Sequence, residues 1–240
     1  VTGVQTCALP IFDKERNEFL GIIAHDLKNP LAGIRSGAEI IERYFTQDKG
    51  IYRFTEAIIK SVDQMLELIS SLTEEHRIEN GSVALTFDVI PLAMIDEIVA
   101  LNQMHAITKN ITLHYERPTE AVFVLANDLA LRQILDNLIS NAIKYSPPSK
   151  QVRIRLLQGE TVRIEIQDEG QGLSEMDKKN LFQKFTRLSA KPTAGESSSG
   201  LGLFIVKKLV DLHHGNIWCE SDADKGIPGA TFIVEFPLPR

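Results

Sequence analysis

The stretch LGIIAHDLKNPLAGIRSGAEIIERYF, residues 20–45, decides the first half of the fold. Its apolar side chains return at steps of 3 or 4 residues, at Leu20, Ile23, Leu27, Leu31, Ile34, Ala38, Ile41 and Phe45. Because an α-helix has about 3.6 residues per turn, this spacing places the apolar side chains on one face. The stretch is therefore predicted to be a long amphipathic helix.

The same spacing returns after a polar break at residues 47–50, with Phe54, Ile58, Val62, Met65, Ile69 and Leu72. So short a connection predicts an antiparallel helical hairpin. One hairpin cannot bury both of its apolar seams. We therefore expect two hairpins to form a four-helix bundle, which makes the protein a homodimer through residues 13–80.

The period changes after Gly81, where short β-rich runs alternate with helical segments. The predicted strands are 83–87, 111–115, 122–125, 152–157, 162–166, 217–219 and 231–236, and the predicted helices are 92–106, 129–144 and 201–213. This mixture predicts an α/β sandwich, one sheet covered on one face, and hence an α+β chain. Residues 173–200 are polar, with Phe182 and Phe185 as their main apolar side chains, and are expected to form a mobile lid.

Composition and charge argue against several classes of protein. The 240 residues are 43% hydrophobic and 24% charged, which is typical of globular chains, and no run of 18 apolar residues predicts a membrane span. A net charge of −6 without a basic block argues against nucleic-acid binding. The two cysteines, Cys7 and Cys219, have no spacing typical of a metal site, so a reducing, cytoplasmic location is predicted.

Residues 1–12 carry no charge and no helical period. The string VTGVQTCALPI, residues 1–11, resembles translated sequencing-adapter read-through. We expect residues 1–12 to be a non-native or linker segment.

The first motif whose side chains could take part in a reaction lies inside the first helix. It is His25-Asp26-Leu27-Lys28-Asn29-Pro30. Pro30 has no N–H and should bend the helix, and Asn29 lies one turn after His25 on the same face. A surface histidine beside a tolerated kink is the simpler alternative.

The second motif places Asn137, Asn141, Lys144 and Tyr145 at i, i+4, i+7 and i+8, on one helical face. Carboxamide oxygens can ligate Mg²⁺, lysine can bind phosphate and an aromatic ring can stack on a base. A surface helix would tolerate the same residues.

Two glycine-rich motifs follow, DEGQG at residues 168–172 and SSSGLGL at 197–203. Glycines permit close backbone approach, Asp168 can accept a hydrogen bond from an exocyclic amine, and a loop that opens a helix can bind phosphate. Ordinary turns would also account for them. Neither a Walker motif nor a Rossmann fingerprint is present in the sequence.

Together and in this order, the motifs resemble those of sensor histidine kinases of two-component signalling, over residues 13–240. AHDLKNPL resembles the phosphoacceptor box, NLISNAIKY the asparagine box, FQKF the lid phenylalanines, and DEGQGL and GLGLFIVKKLV the two glycine boxes. The resemblance implies a dimerisation and histidine phosphotransfer domain at 13–80 and a GHKL-type catalytic ATP-binding domain at 81–240. Many members have Gly where this chain has Ser198, which bears on the flexibility of the lid.

The resemblance also implies roles for individual residues. His25 would take the γ-phosphoryl group of ATP and make the chain a phosphoprotein, with Asp26 as its base or orienting group. Asn29 would support phosphatase activity toward the regulator. Mg²⁺ would bind Asn141, with Asn137 beside it. The nucleotide would contact Lys144, Tyr145 and Asp168, the pocket residues Gly170, Gly172, Gly200, Leu201 and Gly202, and the lid residues Phe182 and Phe185.

The implied partner is the receiver domain of a response regulator, whose aspartate would accept the phosphoryl group. Members of the family usually carry an input module, often with membrane helices, so a membrane anchor is expected only in an N-terminal part outside this sequence. The main alternative is a catalytically idle GHKL-fold scaffold that binds nucleotide or a partner. A GHKL ATPase of the gyrase, chaperone or mismatch-repair kind is disfavoured by the long hairpin with its histidine.

Overall fold

The computed structural model describes residues 9–44, 49–79, 86–184, 186, 188–193 and 200–239. The chain divides into two compact units, Val1–Ala84 and Leu85–Arg240. In the part of the chain that is described, no helix is both long enough and apolar enough to cross a membrane.

The first unit is a pair of long helices, α1 (Leu9–Tyr44) and α2 (Lys49–Glu79), which pack along each other. Because only residues 45–48 separate them, the two helices are antiparallel, as predicted. Helix α1 continues through Pro30. It begins at Leu9, so residues 9–12 are helical although the sequence placed them before the helix; Pro10 is tolerated because the first turn needs no N–H donor.

The predicted apolar seam of α1 splits into two stripes. Leu31 and Ala38 are buried, whereas Leu27, Ile34 and Ile41 remain 47%, 52% and 43% exposed. Members of each stripe are seven residues apart, the spacing of a coiled coil. One stripe therefore faces the partner helix, and the other is left uncovered by the hairpin.

Helix α2 shows the same division. Thr55 and Val62, seven residues apart, are buried, while Ile58 and Met65 keep two-fifths of their surface exposed. The Thr55 hydroxyl donates to the carbonyl of Tyr52 at 2.9 Å within its own helix, so this polar group is buried with a partner.

The second unit has a five-stranded sheet in the order β2-β4-β5-β7-β6 and a separate two-stranded ribbon of β1 and β3. Strands β2 and β4 are parallel, and all other pairs are antiparallel. The strands are β1 (Asp88–Pro91), β2 (Thr112–Glu116), β3 (Phe123–Ala126), β4 (Gln151–Gln158), β5 (Thr161–Asp168), β6 (Asn216–Glu220) and β7 (Ala230–Pro237).

The described part of this unit also contains the α-helices α3 (Met94–Thr108), α4 (Asp128–Tyr145), α5 (Glu175–Asn180) and α6 (Gly202–Leu212) and a short 3-10 helix, Ala223–Lys225. Helix α4 packs on β4 and β5, α3 on β2 and α6 on β6. Side chains alternate along β5, where Val162, Ile164 and Ile166 are fully buried and Arg163 and Glu165 lie on the other face. The predicted α/β sandwich, with one sheet covered on one face, is confirmed.

One predicted strand is wrong. Thr86 and Phe87, from the predicted strand 83–87, are not in a strand, and residues 83–85 lie outside the described residues. The first strand is instead Asp88–Pro91. Its pairing with β3 ends at Asp88 and Ala126, because β3 ends there and α4 begins two residues later.

His213 directly follows α6, and its side chain contacts residues from several elements of the core. Its ring is 2% exposed and lies edge-on to Phe87 and Phe236, with centroids 5.1 and 6.1 Å away. Nδ1 lies 2.7 Å from the carbonyl of Leu209, and Nε2 accepts the N–H of Asn127 at 3.0 Å. These two bonds require a neutral ring with its proton on Nδ1.

We expect acidification to lower the free energy of unfolding of the second unit through His213. Burial lowers the pKa of His213 below its ordinary 6.5, so the unfolded chain takes up this proton at a higher pH than the folded chain. The stabilisation is complete above pH 6.5 and is lost as the pH falls below it, by about 1.4 kcal/mol per pH unit at most.

Urea unfolding followed by Trp218 fluorescence at pH 7.5 and 5.5 measures this loss, which should be smaller in His213→Gln. The matched control is His105→Gln, because His105 is exposed on α3 and is not among the groups that act on His213, so the loss should be unchanged. An identical loss in wild type and His213→Gln would contradict the assignment.

Candidate active site

Helix α4 carries the polar face predicted to bind a ligand. Its N-terminus is capped by Asn127, whose Oδ1 accepts the N–H of Ala130 at 3.0 Å. Leu131, Ile134 and Leu138 on the opposite face are fully buried. The four predicted polar-face residues, Asn137, Asn141, Lys144 and Tyr145, are all half-buried at the margin between core and solvent.

The two asparagines of this face differ in their bonding. Asn137 donates Nδ2–H to the carbonyl of Gln133 at 3.0 Å, which leaves Oδ1 as its available group. The side chain of Asn141 makes no hydrogen bond with any described residue, although it is half-buried. Its carboxamide oxygen is therefore the better placed of the two to bind an external cation.

The start of α6 lies against Asn137. A Cβ atom on Gly202 would come within 2.8 Å of Asn137 Oδ1, so close an approach requires glycine. Gly200 has φ of 72°, Leu201 is fully buried, and no described side chain caps the first turn of α6. The backbone N–H groups of that turn can therefore bind an anion.

Asp168 ends β5 and is 6% exposed. Its Oδ1 accepts the N–H groups of Gly170 at 2.8 Å and Ala230 at 3.3 Å, while no described group donates to Oδ2. Burial raises the pKa of Asp168 to about 6, against the effect of the two N–H groups, which favour the charged form. Oδ2 is therefore an acceptor held in place with capacity for a ligand.

The glycine loop that follows closes on the end of α4. A Cβ on Gly170 would stand 2.7 Å from the carbonyl oxygen of Tyr145. Gly172 has φ of 75°, and a Cβ there would stand 2.7 Å from Ser221 Oγ. The structure thus brings the asparagine face, the Asp168 loop and the start of α6 together around α4.

Sequence reasoning missed two residues that shape this loop. Ser221 Oγ accepts the N–H of Leu173 at 2.9 Å and donates to the carbonyl of Gly229 at 2.7 Å. Gly229, at φ of 97°, donates its N–H to the carbonyl of Gly170 at 2.8 Å. The Pro228-Gly229 dipeptide is a turn signal, but nothing in the sequence shows which loop the turn meets.

The predicted lid contains a helix and two apolar anchors that the sequence analysis did not name. Leu173 and Leu181 are buried, and Phe182, predicted as a main apolar anchor, is half-buried. Phe185 and residues 194–199, which include Ser198, lie outside the described residues.

Helix α5 begins with a capping box, in which the Ser174 hydroxyl oxygen accepts the N–H of Asp177 and the Asp177 carboxylate accepts the N–H of Ser174. Asp177 additionally accepts the N–H of Ser189 at 2.9 Å, and the Ser189 hydroxyl donates to it. Hydrogen bonds from both serines hold the pKa of Asp177 at about 2, against the desolvation that would raise it. The carboxylate thus ties the start of α5 to a point 12 residues further along the predicted lid.

The histidine motif lies in α1, in the other unit. His25 and Asp26 are helical, and their side chains lie outside the described ones. Asn29 and Pro30 are exposed on the same helix. Among the described residues, no cluster of three or more His, Cys, Asp or Glu could hold a metal ion.

Two family models match the chain. The model described as His Kinase A (phospho-acceptor) domain matches residues 15–81. The model described as Histidine kinase-, DNA gyrase B-, and HSP90-like ATPase matches residues 126–240.

Curated relatives agree with these matches. The chain is 30% identical over 219 residues to the sensor protein kinase WalK of Staphylococcus epidermidis, covering 89% of this chain and 36% of that protein. A Staphylococcus aureus WalK is 28% identical over 219 residues, which cover 89% of this chain and 52% of that protein. The chain spans between about a third and a half of the length of these relatives.

Solved structures show the same fold. Full-length ShkA in complex with AMPPNP has a TM-score of 0.69 at 24% identity, over 92% of this chain and 46% of ShkA. The catalytic domain of histidine kinase ThkA has a TM-score of 0.55 at 28% identity, over 64% of this chain and 97% of that domain. With a phosphoacceptor-domain match in its first unit and an ATPase-domain match in its second, the chain belongs to the sensor histidine kinases.

Proposed function

We propose that the protein phosphorylates itself on His25 with ATP and passes the phosphoryl group to an aspartate of a response regulator. The observation that carries the proposal is the convergence of three ligand-ready groups on α4. These are the side-chain carboxamide of Asn141 and Oδ2 of Asp168, to which no described group bonds, and the start of α6 beside Gly202, which no described side chain caps.

The purine would lie between Asp168 and Tyr145. The exocyclic amine of adenine donates to Asp168 Oδ2, and the ring of Tyr145 stacks on the base. GTP presents an oxygen where ATP presents this amine, and a carboxylate repels it. Gly170 and Gly172 would form the wall beside the base. A side chain at either position would collide with neighbouring protein atoms and displace this loop.

The phosphates would lie toward the start of α6. The backbone of Gly200, Leu201 and Gly202 would line the phosphates, and the positive charge of Lys144 would lie near them. Asn141, assisted by Asn137, would hold Mg²⁺ through carboxamide oxygens, which suits a cation that takes most of its ligands from water and phosphate. Mg²⁺ neutralises charge on the phosphates when bound.

His25 would supply the nucleophile. An unprotonated ring nitrogen forms a bond to the γ-phosphorus while the bond from that phosphorus to the bridging oxygen breaks, and ADP leaves. Asp26 would orient the ring by accepting its other N–H. The receiver aspartate then takes the phosphoryl group from His25, which regains its neutral ring.

We also propose that the two functions belong to two separate domains of the chain. Residues 13–80 would form the dimerisation and phosphotransfer domain, and residues 81–240 the catalytic domain. The uncovered stripe of the hairpin, with Ile34 and Ile58, supports a homodimer built from two hairpins, because large apolar side chains are otherwise costly to expose along a continuous face.

Incubation with labelled ATP and Mg²⁺ tests the kinase activity. We expect acid-labile, base-stable label on the wild type, none on His25→Ala and a loss of at least about a hundredfold in rate for Asn141→Ala, because charge on the phosphates is then poorly neutralised. Both variants should remain dimers on a sizing column. Arg132→Gln is the control on α4, since Arg132 pairs with Glu97 and Asp128 near the helix start. A wild type that binds ATP without labelling would instead be a scaffold.

Asp168 gives a pH-dependent prediction. Because the pKa of Asp168 is about 6, the carboxylate that accepts the adenine amine is lost as the pH falls through that value. We expect Asp168→Asn to weaken ATP binding about tenfold at pH 7.5, since a bond to a charged acceptor is lost. Calorimetry from pH 7.5 to 5 should show the two affinities converging below pH 6. Protonation of ATP itself affects the wild type and Asp168→Asn equally, so the variant is the control for it. Parallel curves of affinity against pH for the two proteins would refute the assignment.

Asn29 is expected to support the phosphatase activity. Its exposed carboxamide lies one turn from His25 and could orient a water molecule toward the phospho-aspartate of a docked regulator. Asn29→Ala should keep most autophosphorylation and phosphotransfer but slow regulator dephosphorylation about tenfold, on the order of 1.4 kcal/mol in the barrier. The decay of purified phospho-regulator with kinase and ADP measures this. Equal decay rates would exclude Asn29 from the reaction.

A further inference from the structure

The last turn of α4 lacks two backbone donors. In an α-helix the carbonyl of residue i accepts the N–H of residue i+4. For Ile143 and Lys144 those residues are Pro147 and Pro148, which have no N–H. Both carbonyls therefore need donors from another part of the chain.

Lys109 supplies them. It follows α3 directly and is 8% exposed, and its Nζ donates to the carbonyls of Ile143 at 3.0 Å and Lys144 at 2.6 Å. A cation at a helix C-terminus is favoured by the helix dipole, and a buried ammonium is tolerated only with such acceptors. The lysine and the two prolines thus complement each other.

The turn that Lys109 holds is also the point where other parts of the candidate site meet. The carbonyl of Tyr145 faces Gly170, and the N–H of Thr193 donates to the carbonyl of Lys144 at 3.2 Å. The Thr193 hydroxyl donates to the carbonyl of Ser146 at 2.7 Å. A shift of this turn would therefore move the glycine loop and the predicted lid together.

We propose that Lys109 is a positioning residue for the nucleotide site. Its ammonium group replaces the two missing proline N–H donors and fixes the turn that carries Lys144 and Tyr145. Lys109 acts through these residues and needs no contact with the nucleotide. The inference rests on the proposed binding of ATP at this site.

A simple brace between α3 and α4 would give a different result, and the chain contains one for comparison. Asn102 of α3 is 5% exposed and donates Nδ2–H to Asp136 Oδ1 at 2.7 Å. Asp136 lies about two turns before Lys144 on α4. Removing the Asn102 contact should loosen the same helix pair without releasing the turn at Lys144.

The test compares Lys109→Met, Lys109→Arg and Asn102→Leu in the whole chain. We expect Lys109→Met to raise the Kd and KM for MgATP about tenfold while autophosphorylation at saturating ATP stays within about twofold. Lys109→Arg keeps a cationic donor and should restore KM to within about threefold of wild type. Asn102→Leu should lower Tm yet leave both constants within about twofold.

Amide hydrogen exchange provides a measure that needs no ATP. The N–H of Ser146 bonds to the carbonyl of Ala142 at 3.1 Å in this turn. Lys109→Met should accelerate exchange at Tyr145 and Ser146, and Asn102→Leu should not.

Three results would overturn the inference: unchanged exchange in Lys109→Met, faster exchange with unchanged ATP affinity, or an equal loss of affinity in Asn102→Leu. A wild type that binds no ATP overturns the proposed function, and with it the nucleotide part of this inference. In that case the exchange data still decide whether Lys109 holds the turn.

Discussion

The apolar face of α4 fixes the position of nearly every group at the candidate site. This face packs against α3, α6, β4 and β5, and its leucines and isoleucines are almost completely buried. A helix held on so many sides cannot rotate without opening cavities in the core. Its opposite margin therefore presents Asn137 and Asn141 at a constant position, and the loops of Asp168 and Gly202 are built onto that margin.

This dependence explains how local contacts combine into a site. Asp168 is placed by its strand, its Oδ1 is occupied by backbone N–H groups, and the remaining oxygen is left for a ligand. Asn137 is similarly occupied at Nδ2 by its own helix. Asp168 is oriented by two such hydrogen bonds and Asn137 by one, and each retains one oxygen for a ligand, which lowers the entropic cost of binding.

Periodicity and motif spacing predicted the helical hairpin, most strands and the side chains on α4, because these features depend on residues close in sequence. They did not predict which apolar stripe of α1 is buried, since Leu31 and Ile34 are chemically alike and differ only in what they face. Ser221 and Gly229 were missed because their partners lie about 50 residues away. The first strand was misplaced because its end is set by β3 rather than by its own residues.

The buried ring of His213 and the buried carboxyl of Asp168 respond to acid in opposite ways. The folded chain disfavours a proton on His213, whereas it binds one at Asp168 more readily than the unfolded chain does. Between pH 6.5 and 5 the stability lost through the histidine is partly regained through the aspartate. Mild acid would therefore remove the charge from the carboxylate proposed to bind the purine while the domain stays folded, so the affinity for nucleotide would fall without denaturation and would recover when the pH is restored.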